Sequence, residues 1–312
     1  MRKKEVAIIG LGGVGGYFGF KINHFKPNNL SVSFIARNTT YTQVQQHGLT
    51  LLSPEHETST TQPDHILASI GELQSPDLVF ICVKEYDLEN VCLQLKDCIH
   101  AKTLLFPMMN GADIYDRIRA VLPNHVILPS CVYVASHIKS KGIVEHKGRA
   151  GKLIFGKDPK HPNINLEWVI ALLDQSGIDY DFSEEPEIAI WSKFLFIASF
   201  GLVTARHNSS IGAVCTVTEQ QNDARSIMKE IIAIAQKKNI AIAQGAADEV
   251  FSKAASFPPE TPTSFQLDVN SGKQNTELEL FAGAILKFGK QLAIPTPVTQ
   301  VYYAHLKNTF NL

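Results

Sequence analysis

Surplus charge of one sign is missing from this chain: 29 lysines and arginines stand against 30 aspartates and glutamates over 312 residues, a formal net charge of −1. A nucleic-acid or membrane-surface partner needs a basic excess or a basic face, so neither is expected. Cysteine is scarce too. The five present (Cys82, Cys92, Cys98, Cys131 and Cys215) are odd in number and make no Cys-x-x-Cys pair. Several fall in apolar strand-like runs, where cysteine acts as a small hydrophobe, and that usage points to a reducing cytoplasm. The eleven histidines form no H-E-x-x-H or similar ligand cluster, and there is no G-x-S-x-G elbow and no G-K-[ST] phosphate loop. No metal, serine nucleophile or nucleotide hydrolysis is therefore expected. No segment reads as a signal peptide.

Long apolar runs are rare as well. The one candidate membrane span, AIWSKFLFIASFGLV at 189–203, carries Ser192, Lys193 and Ser199. A lysine near a bilayer centre costs roughly 2.5–3.5 kcal/mol on insertion scales, so a buried helix of a soluble protein is the better reading. Lysine is almost never fully buried unless it is paired or used, which makes Lys193 a residue to explain.

What is present is a length suited to two domains and an alternation of strand-like and helix-like segments through the first half. EVAIIG reads as a buried strand closed by glycine, followed by a helix from about Gly13 to Phe25 and a second strand, SVSFIAR. YTQVQQHG reads as a helix capped by Gly48. PDLVFICVK and KTLLFPMMN read as buried strands, with the helical EYDLENVCLQLKDCI between them. Strands apolar on both faces and alternating with helices predict a parallel sheet covered on two sides. VILPSCVYVASHI, GIVEHKG and GKLIFGK are expected to extend that sheet. From FSEEPEIAIW onward helical periodicity takes over, at 186–204, 217–238, 244–256, 274–290 and 296–308, with Pro258, Pro259 and Pro262 marking a loop. The expected domains are 1–185 and 186–312.

Gly10, Gly12 and Gly15 in IIGLGGVGG have G-x-G-x-x-G spacing, with Gly13 in the same turn. The first glycine allows a tight turn, the second a close backbone approach to a pyrophosphate, and the third close helix–strand packing. The motif follows a predicted strand and opens a predicted helix, which is the context it needs. A glycine turn without a ligand is the alternative. An NAD site usually ends the second strand with an acidic residue on the ribose 2′-hydroxyl. Here Arg37 stands there, and a guanidinium suits a 2′-phosphate, so NADP (as NADPH) is the expected cofactor. A solvated loop arginine is the alternative.

AIIGLGGVGGYFG, VSFIARNTTYTQVQQHGLTL, DLVFICVKEYDLENV and MMNGADIYDRI resemble, in order and spacing, the ketopantoate reductase family. IWSKFLFIASFGLVTA, TSFQLDVNSGKQNTELE and AIPTPVTQVYYAHLK extend the likeness over nearly the whole chain. The resemblance implies a Rossmann-type domain followed by an all-helical domain, with the active site in the cleft between. It implies reduction of 2-dehydropantoate to pantoate with NADPH, on the route to pantothenate and coenzyme A. It matches Lys193 to the catalytic lysine, Glu277 to an active-site glutamate (with Glu279 as rival, since SGKQNTE is one residue longer than the family pattern), and Asn110 to an asparagine at the active-site end of a strand. It matches Ser264 to a serine that holds the substrate carboxylate and Lys84 to a lysine lining the cofactor cleft.

Two departures stand out. The helix face of Lys193 continues at i+4 and i+8 with Ile197 and Gly201, where the family pattern holds asparagines, and Thr261 replaces a further one. A site built on hydrogen bonds to a hydroxyl discriminates far more strongly than an apolar one, so the identity of the 2-oxo acid is open. In the expected chemistry Lys193 protonates and stabilises the nascent alkoxide. Desolvation by Phe194, Phe196 and Ile197 favours the neutral amine, and Glu277 favours the charged one. Each residue also has a plainer role: Lys193 as a snorkelling side chain, Glu277 as a carboxylate at a helix start, Ser264 as an N-cap, Asn110-Gly111 as a turn and Lys84 as a surface residue. A reductase of another 2-oxo acid and a silent NADPH-binding sensor are the rival functions. A homodimer through the apolar helical half is compatible with the sequence without being required by it.

Overall fold

The computed structural model describes residues 3–272 and 274–310. Met1 and Arg2 of the opening segment, and Lys273 within SGKQNTE, lie outside the described residues. The chain divides into two compact units, residues 1–110 with 114–186 and residues 111–113 with 187–312.

The first unit opens with β1 (Lys4–Ile9), α1 (Gly13–Phe25), β2 (Leu30–Ile35), α2 (Asn38–His47), β3 (Leu49–Ser53), β4 (His56–Thr61) and β5 (His65–Leu67). It continues through β6 (Leu78–Ile81), α3 (Glu85–Leu95), β7 (Leu104–Pro107), α4 (Ile114–Val121), β8 (Val126–Ile127) and β9 (Ser130–Tyr133). β10 (Ser136–Ser140), β11 (Ile143–His146), β12 (Lys152–Phe155), α5 (Glu167–Gln175) and β13 (Asp179–Phe182) complete it. Six strands form a parallel sheet in the order β5-β2-β1-β6-β7-β8, with Ile9 registered against Ile35 on one side and Ile81 on the other. Every residue of β2, β6 and β7 is buried, as expected where helices cover both faces. Phe80 stacks on Phe106 at 5.1 Å between ring centroids, and Phe106 meets Phe155 at 5.0 Å. Each such buried ring stabilises the fold by roughly 1.5–3 kcal/mol.

The strands after residue 125 do not all extend this sheet, which corrects the expectation above. Only β8 joins it; β10-β11-β3-β4 and β13-β12-β9 form two further sheets. The reason is connection length. β10 and β11 are separated by Lys141 and Gly142, the latter at φ +79°, and a two-residue turn makes neighbours antiparallel, whereas a parallel partner needs a crossover of about a dozen residues.

The second unit holds α6 (Pro186–His207), α7 (Ile211–Thr216), α8 (Thr218–Lys237), α9 (Ala246–Ala254) and α10 (Ser264–Asn270). A π-helical turn at Glu279–Gly283 runs into α11 (Ala284–Leu292), and α12 (Pro297–Phe310) closes the chain. The fold is thus a parallel α/β unit followed by a mostly helical one. Pro186 and Pro297 take first helical positions, where a missing N–H leaves nothing unpaired. α6 has the length and composition of a membrane span, yet 67% of its most apolar window is buried in the protein. The expected helix at 274–290 begins later, at Leu278.

One buried carboxylate ties the far end of the parallel sheet together. Asp158, after β12, accepts from the Ile127 amide (2.9 Å), the Tyr115 phenol (2.7 Å), Arg119 (2.6 Å) and the Lys160 amide (3.0 Å), and pairs with His161 (2.8 Å). Burial alone would raise its pKa, but the Ile127, Tyr115 and His161 contacts outweigh that and bring it from 3.8 to about 2. A folded-state pKa below the unfolded one gives stability that is complete above the unfolded value and lost as pH falls through the folded one. Asp158→Asn is therefore expected to cost about 2–4 kcal/mol at neutral pH in urea denaturation. It should also flatten the fall in stability between about pH 4 and pH 2.

Candidate active site

The first unit contains a groove of ≈ 300 Å³ at the carboxyl ends of β1 and β2, lined by Gly10, Gly12, Ile35, Arg37, Asp87 and Val91 among others. Its floor is the glycine turn. Gly10 has φ +89°, and a Cβ there would lie 2.6 Å from the Cys82 carbonyl oxygen. At Gly15 a Cβ would strike the Gly10 carbonyl, and at Gly13 the Ser136 carbonyl. Gly12 differs: nothing lies within 4 Å of its would-be Cβ. It is also the N-cap of α1, with no side-chain cap and no acidic residue in the first turn. The helix therefore presents unpaired N–H groups and a positive end on an open side, which suits a pyrophosphate. Gly13 and Gly15 are packed against protein, whereas Gly10 and Gly12 face the groove.

Arg37 is the N-cap residue of α2 and reaches over the groove. Its Nη2 lies 3.1 Å from Oδ2 of Asp87, in the first turn of α3. The sequence reading omitted Asp87, which stands 50 residues from Arg37; only its place at the start of the predicted helix after CVK could have drawn attention to it. Lys84 is half-buried as the N-cap of α3 and accepts at its carbonyl from the Asp87 amide (3.0 Å). Asn110 follows β7 and is half-buried. Neither lines the groove.

The other three candidates, Lys193, Ser264 and Glu277, lie in the second unit. Lys193 is half-buried on α6, and its neighbour Phe194 meets Phe281 with ring centroids 6.4 Å apart. Phe265, next to Ser264, packs edge-on against the same ring at 5.2 Å. Glu277 accepts at its carbonyl from the Phe281 amide (3.2 Å) and is 3% exposed. Glu279 is exposed and accepts from the Tyr303 phenol (2.5 Å). Ser264 does not cap α10. Thr263 does, accepting from the Gln266 amide (3.2 Å), so Ser264 is the first helical residue and is exposed. Ile197 is half-buried, Thr261 half-buried, and Gly201 buried, with a would-be Cβ 3.4 Å from that of Phe265.

Long-range clusters escaped the sequence reading. His207 of α6 with Glu219 and Asp223 of α8 bring three ligand-type atoms within 4.8 Å of one another. Tyr302 of α12 donates to Asp223 (2.5 Å) and meets His207 (3.2 Å), so hydrogen bonds already engage that group. In the first unit Glu55 receives the Tyr17 phenol (2.6 Å) and Lys21 (3.0 Å). None of these has a spacing that marks it in one dimension.

Two family models cover the chain: "Ketopantoate reductase PanE/ApbA" over residues 6–160 and "Ketopantoate reductase PanE/ApbA C terminal" over 187–309. An uncharacterized oxidoreductase, YkpB, of Bacillus subtilis is 27% identical over 303 residues, 96% of this chain and 97% of the relative. Among solved structures, a PanE/ApbA family ketopantoate reductase from Ralstonia eutropha superposes with a TM-score of 0.87 at 22% identity, covering 99% and 98% of the two chains. A D-mandelate dehydrogenase solved with NADH and anilino(oxo)acetate does so at 0.84 and 19% identity, covering 99% and 100%.

The glycines separate packing from binding by experiment. Gly15→Ala is expected to lower stability by about 1–3 kcal/mol through overpacking, measured by urea denaturation. Gly12→Ala should leave stability within about 0.5 kcal/mol and weaken dinucleotide binding, measured by fluorescence titration.

Proposed function

The chain belongs to the ketopantoate reductase family, and from that premise we propose that it is an NADPH-dependent 2-dehydropantoate 2-reductase serving pantothenate and coenzyme A synthesis. The observation that carries the proposal is the groove of the first unit, where an uncapped helix N-terminus and Arg37 stand at the two places a phosphorylated dinucleotide needs charge. Bound there, the reduced nicotinamide supplies a hydride to C2 of the 2-oxo acid. Backbone N–H groups at the start of α1 receive the pyrophosphate, and the Arg37 guanidinium receives the 2′-phosphate.

Lys193 has the chemistry to finish the reaction. Its ammonium stabilises the negative charge that grows on the carbonyl oxygen and donates the proton that makes the hydroxyl. Glu277, buried on the segment that Phe281 holds against Phe194 of α6, is the positioning group for that ammonium. Asn110 hydrogen-bonds the substrate carbonyl, Lys84 contributes at the cofactor side, and the exposed Ser264 hydroxyl receives the substrate carboxylate. As part of the same proposal the enzyme is cytoplasmic and works without nucleic-acid or membrane partners, in keeping with its balanced charge.

A second reading has its own support. A Cβ at position 201 would lie in ordinary contact with the apolar Phe265, and Ile197 is apolar. A substrate contacting this face meets little that hydrogen-bonds a hydroxyl. A 2-oxo acid with a less polar side chain fits it better, and a dehydrogenase of this fold carries mandelate in its name.

NADPH oxidation with 2-dehydropantoate beside a panel of alkyl and aryl 2-oxo acids decides between them. Lys193→Ala is expected to lower kcat by about 10²–10⁴-fold while NADPH still binds. Undiminished turnover in that variant would overturn the mechanism. Binding without turnover on any acid by the unmodified protein would leave a sensor.

A further inference from the structure

Arg37 and Asp87 are the only charged residues among the described lining of the groove, and they are of opposite sign. They face each other across it, Nη2 to Oδ2, at 3.1 Å. The two are held differently. Asp87 sits in the first turn of α3, where the helix's positive end favours a carboxylate, and its amide is fixed to the Lys84 carbonyl. The Arg37 side chain is 61% exposed against 32% for Asp87, so the guanidinium is the more solvated partner of the pair.

That arrangement alters what the adenosine end of a cofactor encounters. A 2′-phosphate must draw Arg37 from its ion pair and then sit beside a carboxylate of like charge, with the lining charge summing to zero. A ribose with a free 2′-hydroxyl encounters the opposite situation: a carboxylate ready to accept from it, the part an acidic residue at the end of β2 plays in NAD sites. Here the acid comes from the next helix over.

Resting on the reading of this groove as the dinucleotide site, we infer that Asp87 sets the cofactor choice of this chain. It restrains the preference that Arg37 confers, so that NADH is taken alongside NADPH. Arg37 supplies the 2′-phosphate contact, and Asp87 supplies both the competing ion pair and the hydroxyl acceptor.

The test is a binding titration of the full chain with NADPH and with NADH, followed by nicotinamide fluorescence, so that no substrate need be known. The unmodified protein is expected to hold the two within about ten-fold of each other. Asp87→Asn should shift the ratio of affinities toward NADPH by about ten-fold, since it releases Arg37 and removes a like charge. Arg37→Gln should shift it the other way. A merely structural role for Asp87 would change both affinities together and leave the ratio alone. Should Asp87→Asn fail to fold, Asp87→Ser removes the same charge with a smaller side chain and permits the same measurement. A preference for NADPH of 100-fold or more in the unmodified protein, or an unmoved ratio in the variants, would overturn the inference (~100-fold being about 2.7 kcal/mol). Absence of binding by either nucleotide would instead refute the groove as the cofactor site.

Discussion

Between the carbonyl of Gly10 and the α-carbon of Gly15 there is no room for a methyl group. That single contact decides how close α1 lies to β1 and β6, and so where its amino-terminal N–H groups point. The turn before it needs φ +89° at Gly10, a backbone state that side chains resist. The rest of the first unit is arranged around this approach: β1 at the centre of six parallel strands, with β2 and β6 in register on either side. Gly13 and Gly16 extend the same closeness to β10 and β11, whose Ser136 carbonyl and Val144 side chain press on them. A helix held on both sides by glycine contacts cannot drift, which is what an anion site made of backbone requires.

The helical unit is knit together by aromatic rings from elements far apart in sequence. Phe281 touches Phe194 and Phe265, while Trp191 of α6 and Phe288 of α11 meet at 5.6 Å. Lys193, Ser264 and Glu277 each hang within four residues of that hub. The π-helical turn at Glu279–Gly283 begins two residues after Glu277, and such bulges commonly mark functional positions in helices.

How much of this could be read in one dimension depended on local signals. α1 came out with its observed bounds because glycine opens it and Pro27, after its C-cap, closes it. The buried strands β1, β2, β6 and β7 were legible from their apolar runs. β3, β4 and β5 were not: LTLLS directly follows a helix cap with no boundary of its own, HETSTT has no apolar residue, and HIL is only three residues long. The assignment of β9 to β12 went wrong for a related reason: strands were visible, but partners are set by turns and crossovers, not by composition. In the site, Gly10, Gly12 and Arg37 were visible through spacing from a strand end. Asp87 was not, since its pairing with Arg37 exists only once β2 and β6 flank β1 in the sheet. Lys193 was visible as a charge in an apolar helix, whereas Glu277 rested on resemblance alone, and its burial became visible only in three dimensions.

The sheet that carries the groove also has an unusual perimeter. Its central strands run to six residues, but its two outermost ones, β5 and β8, have three and two. An outer strand is where a foreign chain can add by backbone pairing, and the hazard grows with the length of unpaired N–H and C=O offered. Here the rows on offer are too brief to template another strand. The most apolar sheet of the protein is thereby shielded from edge-to-edge pairing by geometry rather than by charge.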